Sequence, residues 1–244
     1  MSGTAISGNK DIASDAAVAC DPRIAVVGVG GAGCRIASAL YGRGVRADVI
    51  AVNTDKAALE QTSADSRIYI CKAVTQGLGT RGDAELGKKC AQIHEAEIMS
   101  AISGHDLVVI VAGMGGGTGT GAAPVIAELC DRIGVTTAAV AVMPFSFESG
   151  RAFKAAEGYR KLHALCRHVI KMNNDRALDM GFGTMDEAIR AVNSSVVRLV
   201  ENFIADAAVM RKTYLASKAG REQGRSGRDV PPAEMQPGAA LKSS

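Results

Sequence analysis

The sequence contains no tryptophan, and aromatic residues make up only 4% of it. So thin a supply excludes the stacking platforms that hold single-stranded nucleic acid. An excess of charge of one sign is missing too. The formal net charge is +3 over 244 residues, too little to mark a surface for nucleic acid or for an acidic membrane. The six cysteines, at positions 20, 34, 71, 90, 130 and 166, form no C-x-x-C pair. They read as small buried thiols in a reducing compartment, not as a zinc site or a disulfide framework. The four histidines lack metal-ligand spacing and read as surface or capping groups. No apolar run approaches the ~20 residues of a membrane span. The N-terminus has no charged start followed by an apolar stretch, so a cytoplasmic location is expected. No G-x-x-x-x-G-K-[ST] occurs, which excludes a P-loop nucleotidase as a close match.

What the chain has instead is glycine, gathered most densely in Gly113-Met114-Gly115-Gly116-Gly117-Thr118-Gly119-Thr120-Gly121. An unbroken apolar run, Leu107 to Ala112, precedes it and predicts a buried strand. Ala122 to Leu129 follows and predicts a helix, with Pro124 tolerable only near its first turn. A glycine turn between a strand and a helix start binds phosphate through free amides and the positive end of the helix dipole. Thr118 and Thr120 add hydroxyl donors.

Along the chain, residues 1–22 are small and polar and read as a flexible arm, and residues 216–244 turn to Gly, Ser, Pro and charge and read as a disordered tail. Between them, 23–215 is expected to be one nucleotide-binding domain. Strands are predicted at 24–29, 49–52, 67–71, 107–112, 136–142 and 168–172, and helices around 36–41, 85–103, 122–129 and 150–165. A last helix begins near Met185, its apolar positions Ile189, Val192, Val196, Leu199 and Phe203 recurring at three- and four-residue steps. Such alternation predicts an α/β, doubly wound, mostly parallel six-stranded Rossmann-like sheet with a long C-terminal helix. In such a sheet the ligand lies where strand order reverses, commonly between the first and fourth strands. The two richest glycine loops follow those two strands.

The first loop, Gly28 to Gly33, satisfies G-x-G-x-x-G between a strand and a helix, so a dinucleotide-binding domain is the rival reading. That site wants an acid at the end of the second strand for the ribose. Here the strand ends in Asn53, with Asp55 two residues on. The dinucleotide reading also leaves the heavier second loop unexplained.

The segment Gly113 to Gly121, continuing through Ala122, Ala123 and Pro124, resembles the signature loop of the tubulin/FtsZ superfamily of GTP-binding filament proteins, the FtsZ branch most closely. The resemblance covers roughly residues 23–205. It implies a GTP/GDP and Mg²⁺ site with Gly30, Gly31, Ala32 and Gly33 at the α- and β-phosphates. Asn53, Thr54 and Asp55 would lie near the γ-phosphate and its Mg²⁺, and Gly79 and Thr80 in the γ-phosphate-sensing loop. Gly115, Gly116, Gly117, Thr118, Gly119 and Thr120 would form the signature phosphate loop. Glu148 would contact ribose, and Asn174 and Asn193 guanine. With no loop lysine, amides, helix dipoles and Mg²⁺ must meet the triphosphate charge.

The sequence departs from the family's pattern in several places. Arg35 stands where the family usually has a guanine-contacting Asn, Ile189 where a Phe stacks on the base, and Ala152 in place of a ribose-contacting Arg, beside Arg151. Arg81 and Ala84 replace a usual Gly and Pro. After Phe203 the family continues into a loop bearing a catalytic Asp and then a second domain. Here Ile204 to Met210 continues the helical pattern, with Asp206 a lone acid and no N-x-D-F-A-D-like segment. The resemblance therefore implies a GTP-binding protein of cell division that self-associates, or that caps or modulates a full-length relative, with any hydrolysis completed in trans. A self-contained nucleotide- or dinucleotide-binding switch or enzyme is the alternative.

Overall fold

The structure, a computed structural model, describes residues 21 to 226, with side chains to 214. Six strands, β1 (Ile24–Val29), β2 (Asp48–Asn53), β3 (Ser66–Tyr69), β4 (Leu107–Gly113), β5 (Thr136–Met143) and β6 (His168–Asn173), form one sheet. Their order is β3-β2-β1-β4-β5-β6, and every neighbouring pair is parallel. This is the doubly wound arrangement expected, with β1 and β4 adjacent at its centre.

Because side chains alternate along a strand, each central strand feeds two cores. Ala25, Val27 and Val29 of β1 join Val108, Ile110 and Ala112 of β4 on one face. There they meet α4 (Ala84–Ile93), α5 (Glu95–Ile102), α6 (Gly117–Arg132) and α7 (Ser149–Leu165). Ile24 and Val26, with Leu107, Val109 and Val111, face the other side. They meet α1 (Gly30–Leu40) through Ile36 and Leu40, and α8 (Met185–Ser226) through Val192, Val196, Val200 and Ile204. The core is thus a sheet with both faces covered, as its unbroken apolar strands require.

Some local structure differs from the sequence reading. The helix expected over 85–103 is two helices that meet at His94. The His94 ring lies 3.2 Å from the Cys90 carbonyl, ending α4 there. Cys71 N donates to the same ring at 3.4 Å. Two short helices, α2 (Lys56–Glu60) and α3 (Lys72–Thr75), and a 3₁₀ turn (Asn174–Met180) have no counterpart in the sequence reading. The helix after the signature loop starts at Gly117, five residues before the expected Ala122, which puts Pro124 in its interior. Residues 216–226, expected to begin a disordered tail, continue α8; Ala216, Lys218, Ala219, Arg221, Glu222 and Gln223 are good helix formers. The rest of the expected arm and tail, 1–20 and 227–244, lies outside the described residues. Asp21–Ala208 forms one compact unit, and α8 from Val209 onward belongs to a second. Among the described residues no helix is long and apolar enough to cross a membrane.

Candidate functional site

Strands β1 and β4 run side by side and each passes almost directly into a helix. Neither α1, preceded by Val29, nor α6, preceded by Gly116, has a side chain capping its first N–H groups. Those amides, with the positive ends of two helix dipoles, remain available to a ligand. The two starts touch. Gly30 has φ +71°, and a Cβ there would lie 2.9 Å from Gly119 N. A cavity of about 520 Å³ opens at this junction, within the range of small-molecule and cofactor sites. Gly30, Gly31 and Ala32 of α1 and Gly116, Gly117, Thr118 and Gly119 of the signature loop line it.

The segments after β2 and before α4, carrying Thr54 and Thr80, close on the same point. Thr54 Oγ1 lies 2.6 Å from Thr118 Oγ1, and Thr80 Oγ1 lies 3.5 Å from it. Thr80 lines the cavity with Thr118. Several expected site residues lie outside the lining and make contacts within the loops. Asn53 is buried, and its Oδ1 accepts from Thr54 N at 2.9 Å and Asp55 N at 3.3 Å. Asp55 Oδ1 accepts from Ala58 N at 2.9 Å and caps α2. Gly79 packs beside Asp55 with φ +67°. Gly33 is wedged under the Val111 carbonyl. Gly115 N donates to Thr120 Oγ1 at 2.8 Å, so that hydroxyl is engaged inside the loop.

At the other end the cavity is walled by side chains from distant parts of the chain. Glu148, Asn174 and Asn193 line it, as do Arg35, Arg151 and Ile189. Glu148 Oε1 accepts from Phe145 N at 3.1 Å, and its Oε2 accepts from Arg151 at 2.6 Å. Asn174 Oδ1 is buried without a hydrogen-bond partner, an acceptor that a bound donor would satisfy. Met185, Ile189, Val192 and Asn193 fall at one-turn spacing along α8 and present one face to the cavity. The sequence reading does not pick out Met114 and Met185, which also line it. Met185 is one turn before Ile189, and that spacing is the signal that would have found it. Phe145 and Phe147 stack with ring centres 5.2 Å apart at the rim.

Among the described residues, the lining contains no cysteine nucleophile. Cys34, one residue before Arg35, is 1% exposed, and burial pushes its thiol up to about 12. Glu148, paired with Arg151, is the sole carboxylate among the described lining residues. Among the described residues no group of three or more His, Cys, Asp or Glu side chains could hold a metal ion.

Comparison with known proteins places this geometry. Residues 23–181 match the family model described as the Tubulin/FtsZ family, GTPase domain. The chain is 36% identical over 213 residues to Cell division protein FtsZ 2 of Halobacterium salinarum, covering 84% of this chain and 53% of that protein. To Cell division protein FtsZ 1 of Pyrococcus horikoshii it is 40% identical over 188 residues, 73% of this chain and 50% of that one. The chain therefore spans about half the length of the curated relatives it matches. Among solved structures, the empty FtsZ dimer of M. jannaschii superposes with a TM-score of 0.78 at 32% identity, over 83% of this chain and 60% of that one. The GTPgS-bound protofilament of CetZ2 from Haloferax volcanii gives 0.69 at 30% identity, over 75% and 58%. The match over residues 23–181, together with the shared fold, shows that the chain belongs to the Tubulin/FtsZ family and carries its GTPase domain.

Proposed function

We propose that the chain binds GTP or GDP in this cavity, with phosphates at the joined starts of α1 and α6 and the base between α1 and α8. The observation that carries the reading is the pair of uncapped helix N-termini opening on one cavity at the strand-order switch. The amides of Gly31, Ala32, Gly117, Thr118 and Gly119 would hold the phosphates, with Thr80 and Thr118 hydroxyls at the far phosphate. Glu148 would take ribose hydroxyls, and Asn174 and Asn193 would meet the base. Asn53, Asp55, Gly79, Gly115 and Thr120 would act by shaping the loops. The lining fits Mg²⁺ as an ion that enters with the nucleotide. It offers threonine hydroxyls and no unpaired carboxylate, so phosphate oxygens and water would supply most ligands. Bound there, the ion would neutralise phosphate charge.

The cellular reading is filament assembly in cell division, which the names of the relatives support. From Met185 to Ser226 the backbone stays helical, and residues 204–210 carry no N-x-D-F-A-D-like segment. Water activation would then come from a neighbouring subunit, and the chain would cap or modulate filaments of a full-length relative. The strand order also suits a dinucleotide, which keeps that reading as the alternative.

Equilibrium binding of Mg·GTP, Mg·ATP and NAD⁺, followed by phosphate release with and without a full-length FtsZ, tests both readings. GTP binding with release only in the mixture is expected. Binding of NAD⁺ alone would overturn the nucleotide assignment. Long filaments formed by this chain alone with GTP would overturn the capping role.

A further inference from the structure

We infer that the groove bounded by α4, α6 and α7 is a second ligand site, one that takes a small anionic amphiphile, an apolar body with one anionic end. The groove has a volume of about 590 Å³, in the range of small-molecule sites. No described residue lines both it and the first cavity, so the inference stands apart from the nucleotide reading. The buried side chains of its lining are Thr120, Pro124 and Val125 of α6. Beside them Gly158 of α7 is held against the Thr120 methyl, where a Cβ would lie only 2.4 Å away. Thr120 Oγ1 is engaged by Gly115 N. That wall therefore offers a ligand mainly apolar contact.

The rim is charged, and its charges are unevenly matched. Glu85 and Glu157 both pair with Lys161, at 3.7 and 2.8 Å, and Asp83 accepts from Leu86 N at the start of α4. Among the described residues the side chains of Arg81 and Lys88 make no hydrogen bond or ion pair, and Lys154 reaches only the neutral Gly82 carbonyl, at 2.9 Å. Three cations of the lining are thus left against one carboxylate, Glu128. Arg81 and Lys154 stand at the Gly82 end, with Lys88 one turn into α4, whereas Glu128 lies two turns along α6 from Gly121, which meets Lys88 N. An anionic group at the Gly82 end would gain charge-assisted hydrogen bonds. Two lining residues are also places where the sequence departs from the family's pattern. Arg81 and Ala84 replace a usual Gly and Pro, and neither lines the first cavity. The arginine adds a cation to the groove, and the alanine takes a ring from its wall.

Isothermal titration calorimetry of the full chain with octanoate, decanoate and decyltrimethylammonium tests the site. Decanoate is expected to bind at one site per chain, and octanoate about 4-fold more weakly for each methylene removed. The cation, with the same apolar chain as its body, should bind at least about 5-fold more weakly than decanoate. Arg81→Gly suits the left-handed backbone there, φ +49°, and should weaken decanoate about 2- to 5-fold, as should Lys88→Gln. Lys89→Gln removes a neighbouring charge outside the groove lining and should change nothing. Ala84→Pro returns a ring to the wall and should weaken both carboxylates. Asp83, at ψ 108°, already has the extended backbone that a following proline requires, so α4 is kept. Equal affinity for anion and cation, equal loss in Lys89→Gln, or no saturable binding by the wild-type chain would each overturn the inference. So would decanoate binding that Mg·GTP abolishes and that Arg81→Gly and Lys88→Gln leave unchanged, which would place the probe in the first cavity. A chain that binds decanoate as expected but no GTP would remove the nucleotide reading and leave this site standing.

Discussion

Gly121→Ala separates two explanations of the signature glycines by sign. If these glycines serve only a ligand, alanine at an interior helix position stabilises by about 0.5–1 kcal/mol relative to glycine. The packing says otherwise. Gly121 does not line the cavity. A Cβ on it would lie 2.6 Å from Lys88 N and 3.0 Å from the Ala84 carbonyl carbon, with the Ala84 carbonyl oxygen nearer still. Ordinary contact begins at 3.4 Å, so α4 and α6 must part by about 0.8 Å against the lysine amide alone. All of these atoms are backbone, so no rotamer change relieves the clash. Overpacking of this kind costs about 1–3 kcal/mol, and more where backbones must shift. Taking about 3 kcal/mol less the helix-propensity gain leaves a net loss near 2 kcal/mol, or a fall in Tm of about 4–8 °C for a domain of this size. Gly150→Ala is the control: it lies in the first turn of α7, where a Cβ would meet no atom within 4 Å, and it should leave Tm unchanged or slightly raised. Thermal unfolding followed by circular dichroism reads both. A Gly121→Ala variant as stable as wild type would refute the close-packing account.

Three further outcomes are expected. Thr118→Val removes the partner of the fully buried Thr54 hydroxyl, and leaving that group unsatisfied should cost about 1–3 kcal/mol in urea unfolding. Asp83→Ala deletes the side chain that caps α4 by accepting from Leu86 N at 3.0 Å, with a loss of about 1 kcal/mol and no change in the cavity lining. The Cys34 thiol is raised from 9.0 to about 12 by burial. Below pH 9 it is neutral in both states and has no effect on stability. Above pH 9 the unfolded chain loses this proton first, so stability should fall by about 1.4 kcal/mol per pH unit until pH 12. Urea unfolding from pH 8 to 11 on wild type and Cys34→Ala, compared as slopes, isolates that contribution.

The sheet is legible in the sequence because its strands are buried on both faces and so appear as unbroken apolar runs bounded by glycine. The adjacency of β1 and β4 follows from the two glycine loops having to meet. The glycines themselves carry two meanings. Gly117 and Gly121 read as loop residues in the sequence, yet both lie in α6, where Gly121 admits α4 at backbone contact and Gly117 admits Thr80 and Asp83 of the loop before it. A glycine that makes room for a ligand and one that makes room for a helix look alike in sequence, and only the partner's position tells them apart. Asn53 and Asp55 are ambiguous for a similar reason. Polar residues at a strand end suit a ligand or a turn equally: here Asn53 Oδ1 and Asp55 Oδ1 accept from Thr54 N, Asp55 N and Ala58 N in the turn, while Asn53 Nδ2 is buried without a partner.

The two ends of the cavity differ in how firmly they are built, and with phosphates and base placed as proposed, that difference bears on how the chain would select its ligand. The phosphate end is set in the core. Thr118 is buried within hydrogen-bond distance of Thr54 and Thr80, and the loop carrying Thr80 leads directly into Asp83, the cap of α4. A nucleotide that pulls on Thr80 therefore pulls on the seam between α4 and α6. The base end rests on the 3₁₀ turn and the first turn of α8, where every residue from Leu178 to Glu187 is exposed. Segments with so few buried contacts open at lower free energy than the core. On the proposed reading, the phosphates would meet a preformed cradle, whereas the base would meet Asn174 and Asn193, brought together from two elements. This is also why a run of glycines announces the first end in the sequence and no local motif announces the second.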